Sequence, residues 1–171
     1  MNTIGEKSIV RKANESDTSQ ILAVMKDAEQ SGFMLFAPDE RNMAPAALSN
    51  LINSINQTPT SGFFIAEHQD EILGYLLLKA ETLSRTSHRA QIAVGVHSKR
   101  RGKGIGTVLF DYMIQWAKKS QLHRLELTVI EYNEQAVHLY KKMGFEVEGV
   151  KKNSLLIDGQ YVNELYMAKL L

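Results

Sequence analysis

Cysteine is absent from the 171-residue chain, so no disulfide framework, thiolate nucleophile or thiolate metal site can be built from it. The five histidines are scattered with no HExxH-like pair among them, and no metal is expected. No apolar run approaches the roughly 20 residues needed to span a bilayer. The stretch Met1–Glu15 is polar and lacks the apolar centre of a signal peptide. A soluble, cytoplasmic protein is the expectation. Net charge is almost missing too: 20 Lys and Arg against 19 Asp and Glu leave +1. Nucleic-acid and membrane-surface proteins are more often basic overall, so neither partner is expected.

One further absence is local. Between Glu81 and Asp111 there is no Asp or Glu, while Arg85, Arg89, Lys99, Arg100, Arg101 and Lys103 all fall inside that gap. Positive charge concentrated in one segment of a nearly neutral chain suggests a small anionic ligand.

What is present reads as one domain over residues 1–171, with a hydrophobic share of 44%, just below the usual globular range. Ser8–Lys12 starts a strand. Helical spacing of Ile21, Leu22, Met25 and Ala28 places a helix near 16–30. The loop that follows holds Phe33, Met34, Leu35 and Phe36, read as core first and as pocket lining second. Pro45 opens a second helix, running to about Asn56. Gly62–Glu67 and Glu71–Lys79 form a hairpin, and Thr86–Val96 a further strand. Val108, Leu109, Tyr112, Met113, Trp116 and Ala117 make one face of a helix ending near Ser120. A strand at Arg124–Ile130, a helix at Asn133–Met143 closed by Gly144, and a hairpin about Asp158-Gly159 complete a mixed α/β order.

The segment KRRGKGIGTVLF (99–110) puts four cations in five residues, alternates glycine, then turns apolar. A strand running through glycines into a helix points unpaired backbone N–H groups and the positive end of the macrodipole at one spot. Glycines at 102, 104 and 106 permit positive φ and let the backbone approach a ligand. Each charge-assisted hydrogen bond to phosphate contributes roughly 1.5–3 kcal/mol, so a few amides with Arg101 suffice for a pyrophosphate. The string GxxxxGK[ST] is absent, and Thr107 stands where GxGxxG needs its third glycine.

What does match is Arg101-x-x-Gly104-x-Gly106 after an apolar strand, which resembles the (Q/R)xxGx(G/A) acyl-CoA motif of the GCN5-related N-acetyltransferases. VIEYNEQAVHLYKKMGFEVEG (129–149) resembles the second signature of that family, and the element order is also similar along nearly the whole chain. The resemblance implies the acyl-CoA N-acyltransferase fold. That is a mostly antiparallel sheet of about seven strands with a splayed central parallel pair, flanked by about four helices. It also implies acetyl-CoA as the acyl donor, a primary amine as acceptor and, as in many relatives, a homodimer.

Carried over residue by residue, the resemblance gives the main chain of Val94 and Val96 to the pantetheine arm. Arg101, Gly102, Lys103, Gly104, Ile105 and Gly106 go to the pyrophosphate. Asn133 goes to the arm, and Tyr140 stands beside the sulfur as general acid. A phenol with pKa near 10 against a thiol near 8.5 makes that protonation plausible chemistry. The central strand Arg89–Val94 has no acid where many relatives keep one, and Glu81, Glu126, Glu131, His88, His138 or a water chain all stay open as base. The acceptor class stays open among amino acids, polyamines, antibiotic-like amines and protein N-termini. A non-catalytic acyl-CoA-binding module of the same fold is the alternative.

Overall fold

The computed structural model describes residues 4, 5 and 7–171, so part of the polar stretch Met1–Glu15 lies outside the described residues. Seven strands form one sheet: β1 (Ile9–Lys12), β2 (Gly62–His68), β3 (Glu71–Ala80), β4 (Arg89–Val96), β5 (Arg124–Ile130), β6 (Glu146–Ile157) and β7 (Gln160–Leu170). Their order across the sheet is β1-β2-β3-β4-β5-β7-β6. Every neighbouring pair is antiparallel except β4 and β5. Four α-helices complete the mixed architecture anticipated: α1 (Thr18–Glu29), α2 (Pro45–Gln57), α3 (Ile105–Lys119) and α4 (Glu134–Lys142). A parallel pair needs a crossover, and α3 supplies it.

Local chemistry sets the boundaries. Asn14 and Asp17 cap the turn before α1 reciprocally: Asn14 Oδ1 accepts from Ser16 N–H at 2.9 Å, and Asp17 accepts from Asn14 N–H at 2.8 Å. Pro45 occupies the first turn of α2, where its missing N–H costs nothing. Gly144, at φ +88°, closes α4 and lets Phe145 N–H return to Tyr140 O at 2.9 Å. Asp158 and Gly159 both take positive φ, as a two-residue hairpin turn requires.

Each face of the sheet has its own core. Against α3 lie Phe64, Leu76, Leu109, Phe110, Met113, Leu125, Tyr140 and Phe145; against α1 and α2 lie Ile21, Met25, Leu48, Ile52, Phe63, Ile65 and Tyr75. The second core stops at β4. Beyond it that face carries exposed Thr128 and Tyr166, and ion pairs that run from Arg89 to Glu126, Arg124 and Glu148.

Two expectations need correction. The strand expected from Thr86 begins at Arg89, because Leu83–Arg89 is spent on turns closed by Thr86 N–H to Leu83 O and Arg89 N–H to Thr86 O. Phe33, Leu35 and Phe36 are not core: they are exposed, with Leu35 at 78%.

Candidate functional site

Strands β4 and β5 pair over three positions only, Arg89↔Arg124, Ala90↔Leu125 and Gln91↔Glu126, and then part. On the other side β4 stays in register with β3 as far as Gly74↔Val96. His97 N–H donates to Leu73 O at 2.9 Å, which makes Gly74↔Val96 a non-hydrogen-bonded pair of the antiparallel ladder. Such pairs alternate, so Leu76↔Val94 is another. The N–H and C=O groups of Val94 and Val96 therefore face away from β3, into the gap where β5 has left. Their side chains pack against the α3 core. One group in the gap is engaged: Arg101 Nε donates to Val96 O at 3.2 Å.

The turn that follows β4 is held at both ends. Asp27, near the end of α1, accepts from Ser98 Oγ at 2.8 Å and from Ser98 N–H. Gly102 and Gly104 have φ of +69° and +85°, a region that side chains with Cβ disfavour. Gly104 is the N-cap of α3 and offers no side-chain acceptor, and the first turn of α3 contains no acid. Its leading N–H groups are thus left without a capping side chain. Ile105 is buried beneath, so only its main chain faces outward. Lys99 and Lys103 are exposed, whereas Arg100 Nη2 bonds Glu71 at 2.6 Å.

Gly106 departs from its expected part. It lies inside α3 and does not take positive φ. A Cβ there would stand 2.6 Å from Leu139 Cδ2, so this glycine admits α4 against α3. A second close approach involves Gly5, whose N–H donates to Lys103 O at 2.9 Å. A Cβ on Gly5 would stand 2.6 Å from the Gly104 carbonyl.

Asn133 caps α4, Oδ1 accepting from Ala136 N–H at 3.3 Å, which leaves its amide NH2 unused by the cap. Tyr140 is buried on the same helix, its ring 5.4 Å from Phe110 and 6.3 Å from Phe145. Burial pushes its phenol up to about 12, and the neighbouring Tyr75 adds to the rise. Its hydroxyl makes no hydrogen bond among the described residues.

The base candidates are dispersed. Glu81 and His88 sit at the far end of β4: Glu81 N–H donates to Arg89 O, and His88 O accepts from His123 N–H. Glu126 is bonded by Arg124 Nε at 2.8 Å and lies 3.7 Å from Arg89 Nε. Glu131 and His138 are exposed.

Three groups escaped the reading of the sequence. Glu29 is 2% exposed and accepts from Arg41 Nε, while the Arg41 guanidinium stacks 4.0 Å from the Phe36 ring centroid. A cavity of about 300 Å³ opens beside the pair, edged by Lys26, Asp39 and Met43. Tyr75 lies close enough that both charges act on its phenol, which burial pushes up to about 12. The available signal was Glu29 itself, an acid on the apolar stripe of Ile21, Met25 and Ala28. Nearby, Phe33 meets Tyr132 at 6.0 Å, joining the loop after α1 to the segment after β5.

Residues 20–145 match the family described as the acetyltransferase (GNAT) family. The chain is 35% identical over 100 residues to the L-amino acid N-acetyltransferase AaaT of Escherichia coli (strain K12), covering 58% of this chain and 62% of that protein. It is 29% identical over 121 residues to a spermidine N(1)-acetyltransferase of the same organism, covering 70% of this chain and 64% of that one. In both cases the chain spans under two thirds of the relative's length. Among solved structures, a GNAT-family acetyltransferase from Streptococcus pneumoniae superposes with a TM-score of 0.92 at 24% identity, over 96% of this chain and 99% of that one.

Proposed function

Given that the chain belongs to the acetyltransferase (GNAT) family, we propose that it is a single N-acetyltransferase domain moving an acetyl group from acetyl-CoA to a primary amine. The observation that carries this reading is the pair of positions Val94 and Val96, whose main chain no strand pairs on the β5 side, leading into a positively charged glycine turn. An extended amide-bearing arm ending in a pyrophosphate fits that arrangement. The strand offers a ladder edge to the arm, and the turn offers unpaired N–H groups with Arg101 beside them.

In this reading Val94 and Val96 bind the arm and polarise the thioester carbonyl, and Gly102–Ile105 with Arg101 and Lys103 hold the phosphates. Gly106 serves by bringing α4 close. The Asn133 amide orients the arm. The acceptor nitrogen bonds to the acetyl carbon as the carbon–sulfur bond breaks, and the departing sulfur takes the Tyr140 proton. The amine's own proton leaves to solvent. With its phenol pushed up to about 12, Tyr140 is protonated at neutral pH and is a weaker acid than a free phenol, so its part is to place the proton rather than to drive its transfer.

The acceptor is a small amine: an amino acid, a polyamine, an antibiotic-like amine or a protein N-terminus. The neighbouring acids and cations Glu29, Asp39, Lys26 and Arg41 suit an acceptor that carries both charges. A second copy of the chain is the proposed protein partner, docking on the C-terminal hairpin, where Val150, Leu156, Tyr161 and Leu170 are exposed. No described helix is long and apolar enough to cross a membrane, and we place the reaction in the cytoplasm.

Screening amino acids, spermidine and an alanine-led peptide with acetyl-CoA, reading thiol release, tests the reading. Turnover of at least one is expected. Tight acetyl-CoA binding with no thiol release across the panel would instead establish the non-catalytic module.

A further inference from the structure

Tyr75 stands on β3 directly opposite Gly95 on β4. In a pleated sheet these two side chains project from the same face, the one against α1. Gly95 projects nothing, and the tyrosine fills the vacancy. A Cβ at Gly95 would stand 2.5 Å from the Tyr75 ring at Cε1 and 2.8 Å from its hydroxyl oxygen. The side chain therefore leans across β4, away from Phe63, whose ring centroid lies 6.0 Å away. On the far side of β4 at this level no described strand pairs with it, because β5 stopped pairing at Gln91. The hydroxyl is thus carried to the lip of the gap.

That hydroxyl has no hydrogen-bond partner among the described residues, although Tyr75 as a whole is 3% exposed. The only fully buried side-chain polar atom left unpaired among them is Arg89 Nε. The Tyr75 oxygen is therefore not sealed in the core, and it lies over Gly95 beside the gap. A phenol buried along its ring and open only at its oxygen is placed to exchange water for a ligand group there. Tyr140 presents a second unpartnered hydroxyl from the α3 side of the sheet. The two phenols thus approach the open end of β4 from opposite faces.

The geometry points to Tyr75 as the residue that receives the acceptor: its hydroxyl oxygen accepts a hydrogen bond from the incoming amine and holds the nitrogen lone pair toward the thioester. This rests on the transferase reading above. Tyr140 then serves the leaving sulfur and Tyr75 the arriving nitrogen, and Gly95 is what lets Tyr75 reach. Tyr75 is a binding and orienting group and not the base, since burial keeps its phenol protonated well beyond neutral pH.

The test uses the full chain and whichever panel amine wild type acetylates fastest. Tyr75→Phe keeps the ring against Phe63 and over Gly95, so melting temperature and acetyl-CoA affinity should stay within error and twofold. The kcat/KM for the amine should fall about tenfold, mainly through KM. Gly95→Ala should do the same by displacing an intact tyrosine. If Tyr75→Phe stays within twofold of wild type in kcat/KM, the inference is overturned and the phenol is a core aromatic. An equal loss of acetyl-CoA affinity also overturns it, since the hydroxyl would then serve the donor. If wild type acetylates nothing in the panel, the transferase reading falls and the inference with it.

Discussion

The two ends of the β4–β5 pair are built from opposite materials. At the closed end Arg89, Arg124 and Glu126 project charged side chains, and the backbones satisfy one another. At the open end Ala93, Val94, Gly95 and Val96 carry no charge, and no strand pairs with the backbone on one side. Side-chain polarity marks the paired end, and backbone polarity marks the end proposed to bind. A search for conspicuous charged residues on these strands would settle on the wrong end.

The largest effect that sharpens this contrast is expected at Tyr140, the proposed proton donor to the leaving sulfur. Tyr140→Phe should lower kcat by about two orders of magnitude, within the typical range for a lost proton donor, while acetyl-CoA affinity stays within a few-fold. Steady-state rates with calorimetric binding check it, and single-turnover kinetics separate chemistry from product release. Next comes the turn: Gly104→Val forces a branched side chain onto φ of +85° where phosphate must approach. Acetyl-CoA binding should weaken tenfold or more, about 1.4 kcal/mol, and wild-type binding should weaken with salt. Unchanged affinity in a folded variant would remove the turn from the site.

The closed end should answer in a different quantity. Glu126→Gln takes the acid from between two arginines and should cost about 1 kcal/mol, or about 2–4 °C in melting temperature. Turnover should stay within twofold. A tenfold loss of kcat with normal acetyl-CoA affinity would instead make Glu126 the missing base.

The last effect is an alkaline one, read as a spectroscopic phase. Tyr75 and Tyr140 are both raised by burial to about 12, so in the folded protein they keep protons that the unfolded chain releases near 10. Their contribution to stability is whole below pH 10 and falls away as pH rises from there to about 12. Of the six tyrosines, two should ionise late in an ultraviolet titration of the native protein. The double variant Tyr75→Phe, Tyr140→Phe should lose that late phase.

Much of this was legible in the sequence because it is written in local chemistry. The Asp158-Gly159 turn, the Pro45 start, the Gly144 stop and the glycine turn after β4 all follow from which φ angles those residues tolerate. The parallel pair and its unpaired valines came through the family motifs. What stayed hidden depends on register. Tyr75 reaches the gap only because it faces Gly95 across two strands, and no spacing within one strand reveals that. Glu29 and Arg41 meet only once the loop between them has folded back. Phe33–Phe36 misled for the converse reason: composition favours burial, but the loop carrying them runs over the surface and only Phe33 finds an aromatic neighbour. Gly106 matched its motif, yet its position in the structure is explained by Leu139.

Because the cleft-facing atoms of Val94 and Val96 are peptide groups, the two side chains are free to answer to a different constraint, the packing beneath α3. Exchange for another aliphatic residue of similar volume would leave the same N–H and C=O groups in the gap. A lineage can therefore drift far in sequence along this strand without altering the surface proposed to meet the ligand. Divergence should be arrested instead at the glycines, where a single methyl group reaches the function through space it would occupy.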